Sequence, residues 1–152
     1  TLRTDLDLLA AAWPERPALP TAPVVEHRAP HAAEPRAAKL ARLRAAMAEH
    51  GASHHLVSTL DDLAWLFNLR GADVDYNPVF LGHALIGPKD VRLFVGAGKV
   101  DADLAAALAA DGVRVEPYEQ ARAALAALPT DAAAMLLDPK RVTLALREAL
   151  PP

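Results

Sequence analysis

The polar groups most suggestive of chemistry fall in one stretch, "LFNLRGADVDYNPVF" at residues 66–80, where Arg70, Asp73, Asp75, Tyr76 and Asn77 stand between apolar runs. Alternating aspartates in a chain with six histidines raise a metal site first. A two-metal hydrolase needs several hard carboxylate oxygens plus imidazole converging from different elements. The histidines lie at positions 27, 31, 50, 54, 55 and 83, without an HExxH-type helical ligand spacing among them. His54 and His55 open an apolar run that reads as a strand, so their rings are expected on opposite faces. Solvated or singly hydrogen-bonded histidines are the simpler expectation.

Two other chemistries can be weighed on spacing. "LFVGAGKVDADL" offers Gly96-x-Gly98 between a strand and a helix, but Asp101 occupies the third glycine position of a dinucleotide fingerprint. A carboxylate there would repel the pyrophosphate that a helix N-terminus attracts. It is not a P-loop either, since Lys99 is followed by Val100 instead of Ser or Thr. Asp101 is better suited to capping the helix after a glycine turn. Nucleophilic catalysis has little to work with. Ser53 and Ser58 are the two serines, neither in a nucleophile elbow, and cysteine is absent.

The 66–80 stretch also has a structural reading. Gly71 can end a helix in a left-handed conformation, and Asp73 and Asp75 can accept backbone N–H groups. Pro78 favours extended backbone at Asn77, and Arg70 suits a helix C-terminus or a nearby aspartate.

Hydrophobic spacing supplies the elements that must position this loop. Leu2, Leu6 and Leu9 give a short leading helix that Pro14 ends. Six of the 13 prolines then lie between Pro14 and Pro35, an extended strap with Leu19, Val24 and Val25 to bury. "RAAKLARLRAAMAEHG" places Leu40, Leu43 and Met47 on one helical stripe, with Gly51 as its stop. "HHLVS" reads as a buried strand, and "TLDDLAWLFNL" as a helix with Thr59 and Asp62 at capping-box spacing. Next comes a hairpin, "VFLGHALIGPKDVRLFVG", turning at Gly87-Pro88-Lys89-Asp90. The rest alternates: helix "DADLAAALAADG", strand "VRVEP", helix "YEQARAALAALP", strand "AAMLLD" and helix "PKRVTLALREALPP". Crossovers of this kind imply a largely parallel sheet, and the hairpin makes it mixed. The fold class is α/β, with a mixed sheet of about five strands flanked by helices. The expected division is residues 1–35 as leading helix and strap packed on the domain, and residues 36–152 as the domain itself.

Composition bounds the setting. At 152 residues the chain can bury a core without staples, and the absence of cysteine points to a reducing compartment, the cytoplasm. The net charge of −3 is spread along the chain, which disfavours nucleic acid as a main partner. The N-terminal residues, with their acids and early prolines, suit neither a secretory signal nor a membrane span.

"TLDDLAWLFNLRGADVDYNPVFLGHALI" resembles the middle domain of the three-domain Xaa-Pro aminopeptidases, the aminopeptidase P group of the pita-bread metallopeptidases. The similarity continues through "AAWPERPALPTAPVVEH", "VEPYEQ" and "LLDPKRVTLALREALP", covering essentially the whole chain. It implies a creatinase N-terminal-like fold and a parent enzyme that releases the residue preceding proline from peptides with proline in second position. It also implies a following pita-bread domain with two divalent metals, typically manganese, held by two Asp, one His and two Glu, where a bridging hydroxide attacks. No such ligand maps onto this chain, which is expected to carry neither metal, cofactor nor catalytic residue and to be inactive alone. Its partners would be that catalytic domain, in the same polypeptide, and a second copy in a homodimer. The expected role is scaffold and gate, with Arg70, Asp73, Asp75, Tyr76 and Asn77 at an interface or walling the substrate cleft. The alternative is a standalone binding protein that keeps the fold without peptidase activity.

Overall fold

A computed structural model describes residues 3, 6, 8–130 and 134–151. Five strands make the central sheet: β2 (Ala52–Val57), β4 (Gly82–Ile86), β5 (Val91–Val95), β6 (Val113–Pro117) and β7 (Ala134–Leu137), in spatial order β6-β5-β4-β2-β7. The mixed α/β sheet is as the sequence implies, although the pairing is less parallel than expected. β2–β4 and β4–β5 are antiparallel, whereas β5–β6 and β2–β7 are parallel. The chain between β2 and β4 returns beside its origin without a crossover, so only the outer strands are reached by parallel connections.

Alternation along the strands sorts two cores. Val91, Leu93 and Val95 of β5, with Ala84 and Ile86 of β4, pack below α2 (Arg36–Glu49), α3 (Leu60–Leu66) and α4 (Ala102–Ala110). Leu85 and Phe94 face the other way, onto α5 (Ala121–Ala126) and α6 (Leu144–Arg147). The result is a three-layer α/β/α arrangement. α6 is one turn long, shorter than the run from Pro139 suggested, because Thr143 starts it late by accepting the Leu146 N–H at 3.4 Å.

Two helix ends follow the sequence closely. Gly51, with φ of 64°, lies just beyond the α2 cap at His50, and Asp101 caps α4 by accepting from the Leu104 N–H at 2.8 Å. One does not. Thr59 occupies the N-cap of α3, but its hydroxyl makes no capping bond. The first-turn carboxylates of Asp61 and Asp62 instead favour that end through the helix dipole.

The segment before α2 runs along the domain. α1 (Leu8–Ala12) has exposed leucines at 8 and 9, and Leu19 and Val25 of the strap are exposed too, while Val24 is buried. The Val24 N–H donates to the Lys99 carbonyl at 2.7 Å, and His27 N–H to the Asn68 carbonyl at 2.7 Å. Between them β1 (Val25–Glu26) pairs with β3 (Leu69–Arg70). Arg36 then ties the strap from inside: its buried guanidinium contacts Glu26 at 2.9 Å, Asp111 at 2.6 Å and the Phe67 carbonyl at 2.8 Å.

Candidate functional site

The 70–80 loop starts from a left-handed residue, but not the expected one. Asn68, with φ of 52°, turns the chain out of α3. Its amide holds that geometry, because Oδ1 accepts from Lys39 at 2.7 Å and Nδ2 donates to the Glu34 carbonyl at 2.9 Å. Asparagine tolerates this region because its short side chain can bond locally. Gly71 is needed for space instead: a Cβ there would stand 2.7 Å from the Phe80 Cβ and 3.0 Å from the Val79 oxygen.

Beyond Gly71 the two legs of the loop run antiparallel, with Gly71 N–H donating to the Pro78 carbonyl at 3.3 Å and Asp73 N–H to Val79 at 3.2 Å. Val74 bridges Asn77, whose N–H donates back to the Val74 carbonyl at 3.2 Å. A four-residue turn results, with Asp75 and Tyr76 at its tip. Tyr76 has φ of 61°, at a turn position that ordinarily takes glycine or asparagine. Its side chain is as exposed as in an open chain.

The five candidate residues therefore separate. Asp75, Tyr76 and Asn77 form the exposed tip. Arg70 folds back, donating from Nη1 to the carbonyls of Ala64 at 2.9 Å and Leu69 at 2.8 Å, where the C-terminal end of α3 favours a cation. Asp73 points inward. One oxygen meets Lys99 Nζ and the other accepts the Leu81 N–H at 2.7 Å, with the Lys99 and Asp73 side chains 1% and 0% exposed. Lys99 Nζ also donates to the Pro20 carbonyl at 3.3 Å, so a single ammonium joins loop, strap and the β5–α4 turn. Lys99 thus points into the protein, away from any phosphate at the glycine turn.

Sequence reasoning missed Lys99, Lys39 and Trp65. The first two are lysines whose burial depends on partners distant in the chain, and spacing carries no trace of that. Lys39 donates to the Trp65 carbonyl at 2.7 Å and lies 4.2 Å from the indole centroid; burial pushes its ammonium below the ordinary lysine range. Trp65, on α3, is 49% exposed. It walls a hollow of about 180 Å³ shared with Asp61, Arg70, Asn77 and Pro78, directly under the turn.

On the opposite face of the sheet, His83 stacks on Tyr118 with centroids 4.9 Å apart, and its Nδ1 lies 2.9 Å from the Ser58 hydroxyl. Burial pushes His83 below and Tyr118 above their usual values. Next to them Arg92 forks onto Glu116, with Nε to Oε1 at 2.8 Å. That bond holds the carboxyl below the ordinary range. Among the described residues no group of three or more His, Asp or Glu converges as a metal centre, and no helix is long and apolar enough to cross a membrane.

The geometry defines a three-layer α/β domain whose exposed chemistry is a braced turn beside α3. The chain belongs to the creatinase/prolidase N-terminal domain family, whose profile matches residues 15–152. Among similar proteins, a probable Xaa-Pro aminopeptidase P of Talaromyces marneffei is 40% identical over 129 residues, covering 84% of this chain and 20% of the relative. One from Metarhizium acridum is 39% identical over 119 residues, covering 76% and 19% respectively. The crystal structure of X-prolyl aminopeptidase from Caenorhabditis elegans, described as a cytosolic enzyme with a di-nuclear active site, matches with a TM-score of 0.74 and 25% identity. That match covers 79% of this chain and 20% of the nematode chain. The chain thus spans about a fifth of the length of these relatives.

Proposed function

We propose that this chain is a non-catalytic domain of a longer Xaa-Pro aminopeptidase, the middle one of three, serving as scaffold and as one wall of the active-site cleft. The observation that carries the reading is the exposed Tyr76 at a left-handed turn position. Left-handed backbone costs an L-residue about 1–2 kcal/mol, and an aromatic with no contact in the domain recovers none of it locally. Contact with a neighbouring surface gives that residue a use, since tyrosine is enriched at interfaces.

In this reading residues 36–152 are the domain proper and residues 1–35 its leading helix and strap. The turn faces the catalytic domain of the same polypeptide, or a second copy in a homodimer. The parent acts in the cytoplasm on peptides with proline in second position. Its two metal ions, manganese by expectation, belong to the catalytic domain, where they would supply the hydrolytic chemistry. The contribution of this chain is to limit which peptides reach them.

The test is manganese-dependent hydrolysis of Xaa-Pro peptides of graded length by the polypeptide extended into its catalytic domain, with Arg70→Ala and Tyr76→Ala beside it. The variants are expected to lose length selectivity while cleaving the shortest peptide. Unchanged selectivity, kinetics and stability in both would overturn the gating role, and an extended polypeptide without peptidase activity would favour a binding module.

A further inference from the structure

A second concavity lies away from the loop, between α2 and α3 above β2, with a volume of about 290 Å³. Its floor is apolar, from Leu43, Val57 and Leu66, and Trp65 forms one wall. The wall is fixed, because Lys39 is bonded to the Trp65 carbonyl and lies against the indole face.

Four polar groups line the same space: Lys39, whose ammonium is engaged by the Trp65 carbonyl, the Asn68 amide oxygen and the indole face, and three more of complementary character. Arg42 contributes a guanidinium 5.4 Å from the Trp65 centroid. Its Nη2 contacts Glu34 at 2.7 Å, but a guanidinium carries five N–H donors, so others remain to serve an anion. Asp62, exposed on the first turn of α3, contributes a carboxylate. His55 contributes an acceptor: its Nδ1 lies 3.0 Å from the Leu136 carbonyl. A carbonyl only accepts, so Nδ1 carries the proton and Nε2 of the neutral ring holds a lone pair.

We propose that this cleft binds a small zwitterion of the amino-acid class, a free apolar amino acid or a dipeptide, with its apolar side chain against Trp65 and Leu66. The ligand's carboxylate pairs with Arg42, and its ammonium with Asp62 and the His55 lone pair. Both signs of charge beside an apolar floor match a zwitterion better than a simple anion or amine, each of which would leave one charged wall opposed. Size restricts the class further. Ligand pockets run from about 300 to 1,000 Å³, so a space at the bottom of that range takes an amino acid and excludes a nucleotide.

The inference is independent of peptidase activity and can be tested on the 152-residue chain. With Trp13→Phe as background, Trp65 is the remaining indole, and its fluorescence reports occupancy. L-leucine is titrated beside N-acetyl-L-leucine, which lacks the ammonium, and L-leucinamide, which lacks the carboxylate. Saturable binding of leucine is expected, weaker by about tenfold or more for each analogue, since each loses a charge-assisted hydrogen bond. Arg42→Gln should remove the preference for leucine over the amide, and Asp62→Asn the preference over the acetylated form. Both positions are exposed, so circular dichroism is expected to match the parent chain. No saturation by leucine at millimolar concentration, equal binding of the three compounds, or preferences unmoved by the two substitutions would each overturn the assignment.

Discussion

Lys99 shows how one side chain can determine a surface it never reaches. Its ammonium and the Asp73 carboxylate are both out of water, and each has further backbone partners in Pro20 and Leu81. Lys99→Met leaves a buried carboxylate unpaired, so we expect a loss of about 3–5 kcal/mol in denaturant unfolding. Adding Asp73→Asn should recover part of that loss, because the pair is coupled. His83 sets a different dependence. Burial holds its folded pKa below the ordinary value, so the unfolded chain takes up the proton first as pH falls. Stability therefore declines from about pH 6.5 downward until the folded pKa is reached. His83→Gln should flatten that part of the stability profile. The decline expected at lower pH should survive it, because the Glu116 carboxyl, held down by Arg92, contributes above its ordinary value and is lost as pH falls through the folded one. Neither lysine pair nor histidine stack was legible in the sequence. Asp73 and Lys99 are 26 residues apart, and His83 and Ser58 are 25 apart. Only the folded sheet brings such residues together, whereas the Asp101 cap, formed within three residues, could be read directly.

The turn is the element on which the functional reading rests, and it can be perturbed without touching the core. Tyr76→Gly removes the Cβ from a left-handed position, so we expect a gain of about 1 kcal/mol in stability, read as a higher denaturant midpoint with an unchanged slope. The reverse sign, a loss, would mean that the tyrosine packs within the domain. Sequence located this loop correctly, through its polar residues between two apolar runs, but assigned its left-handed start to Gly71. The assignment failed because Asn68 can take the same backbone when its amide is held, and the Lys39 and Glu34 partners that hold it come from the preceding elements. Gly71 kept its place for a reason of space, with Phe80 packed against it. The last helix was overextended for a comparable reason. Its apolar spacing persists from Val142 to Leu150, while the capping bond of Thr143 limits where helical geometry begins.

For the molecule as a whole, the strap and the sheet were legible to different degrees. Alternation in β4 and β5 and the Gly87–Asp90 turn gave the hairpin, and periodicity gave the helices between strands. The seating of the strap was less accessible, since Val24 and Val25 are chemically alike and only Val24 is buried. Arg36 is one of the side chains that join strap to domain, beside Lys99. We expect Arg36→Met to cost about 2–3 kcal/mol, the scale of hydrogen bonds to charged groups, because Glu26 and Asp111 keep some contact with water. Limited proteolysis should then cut within residues 14–35 before the remainder, and an unchanged cleavage pattern would show that β1 and Val24 hold the strap unaided. The strand order has a consequence for biosynthesis. β2 sits inside the sheet, yet one of its neighbours, β7, is made well after it, and His55 reaches Leu136 across 81 residues. At about 5–20 residues per second a ribosome needs roughly 4–16 s to cover that separation. For that interval the nascent chain carries β2 with one edge of unpaired backbone N–H and C=O groups, open to pairing with another strand until β7 arrives.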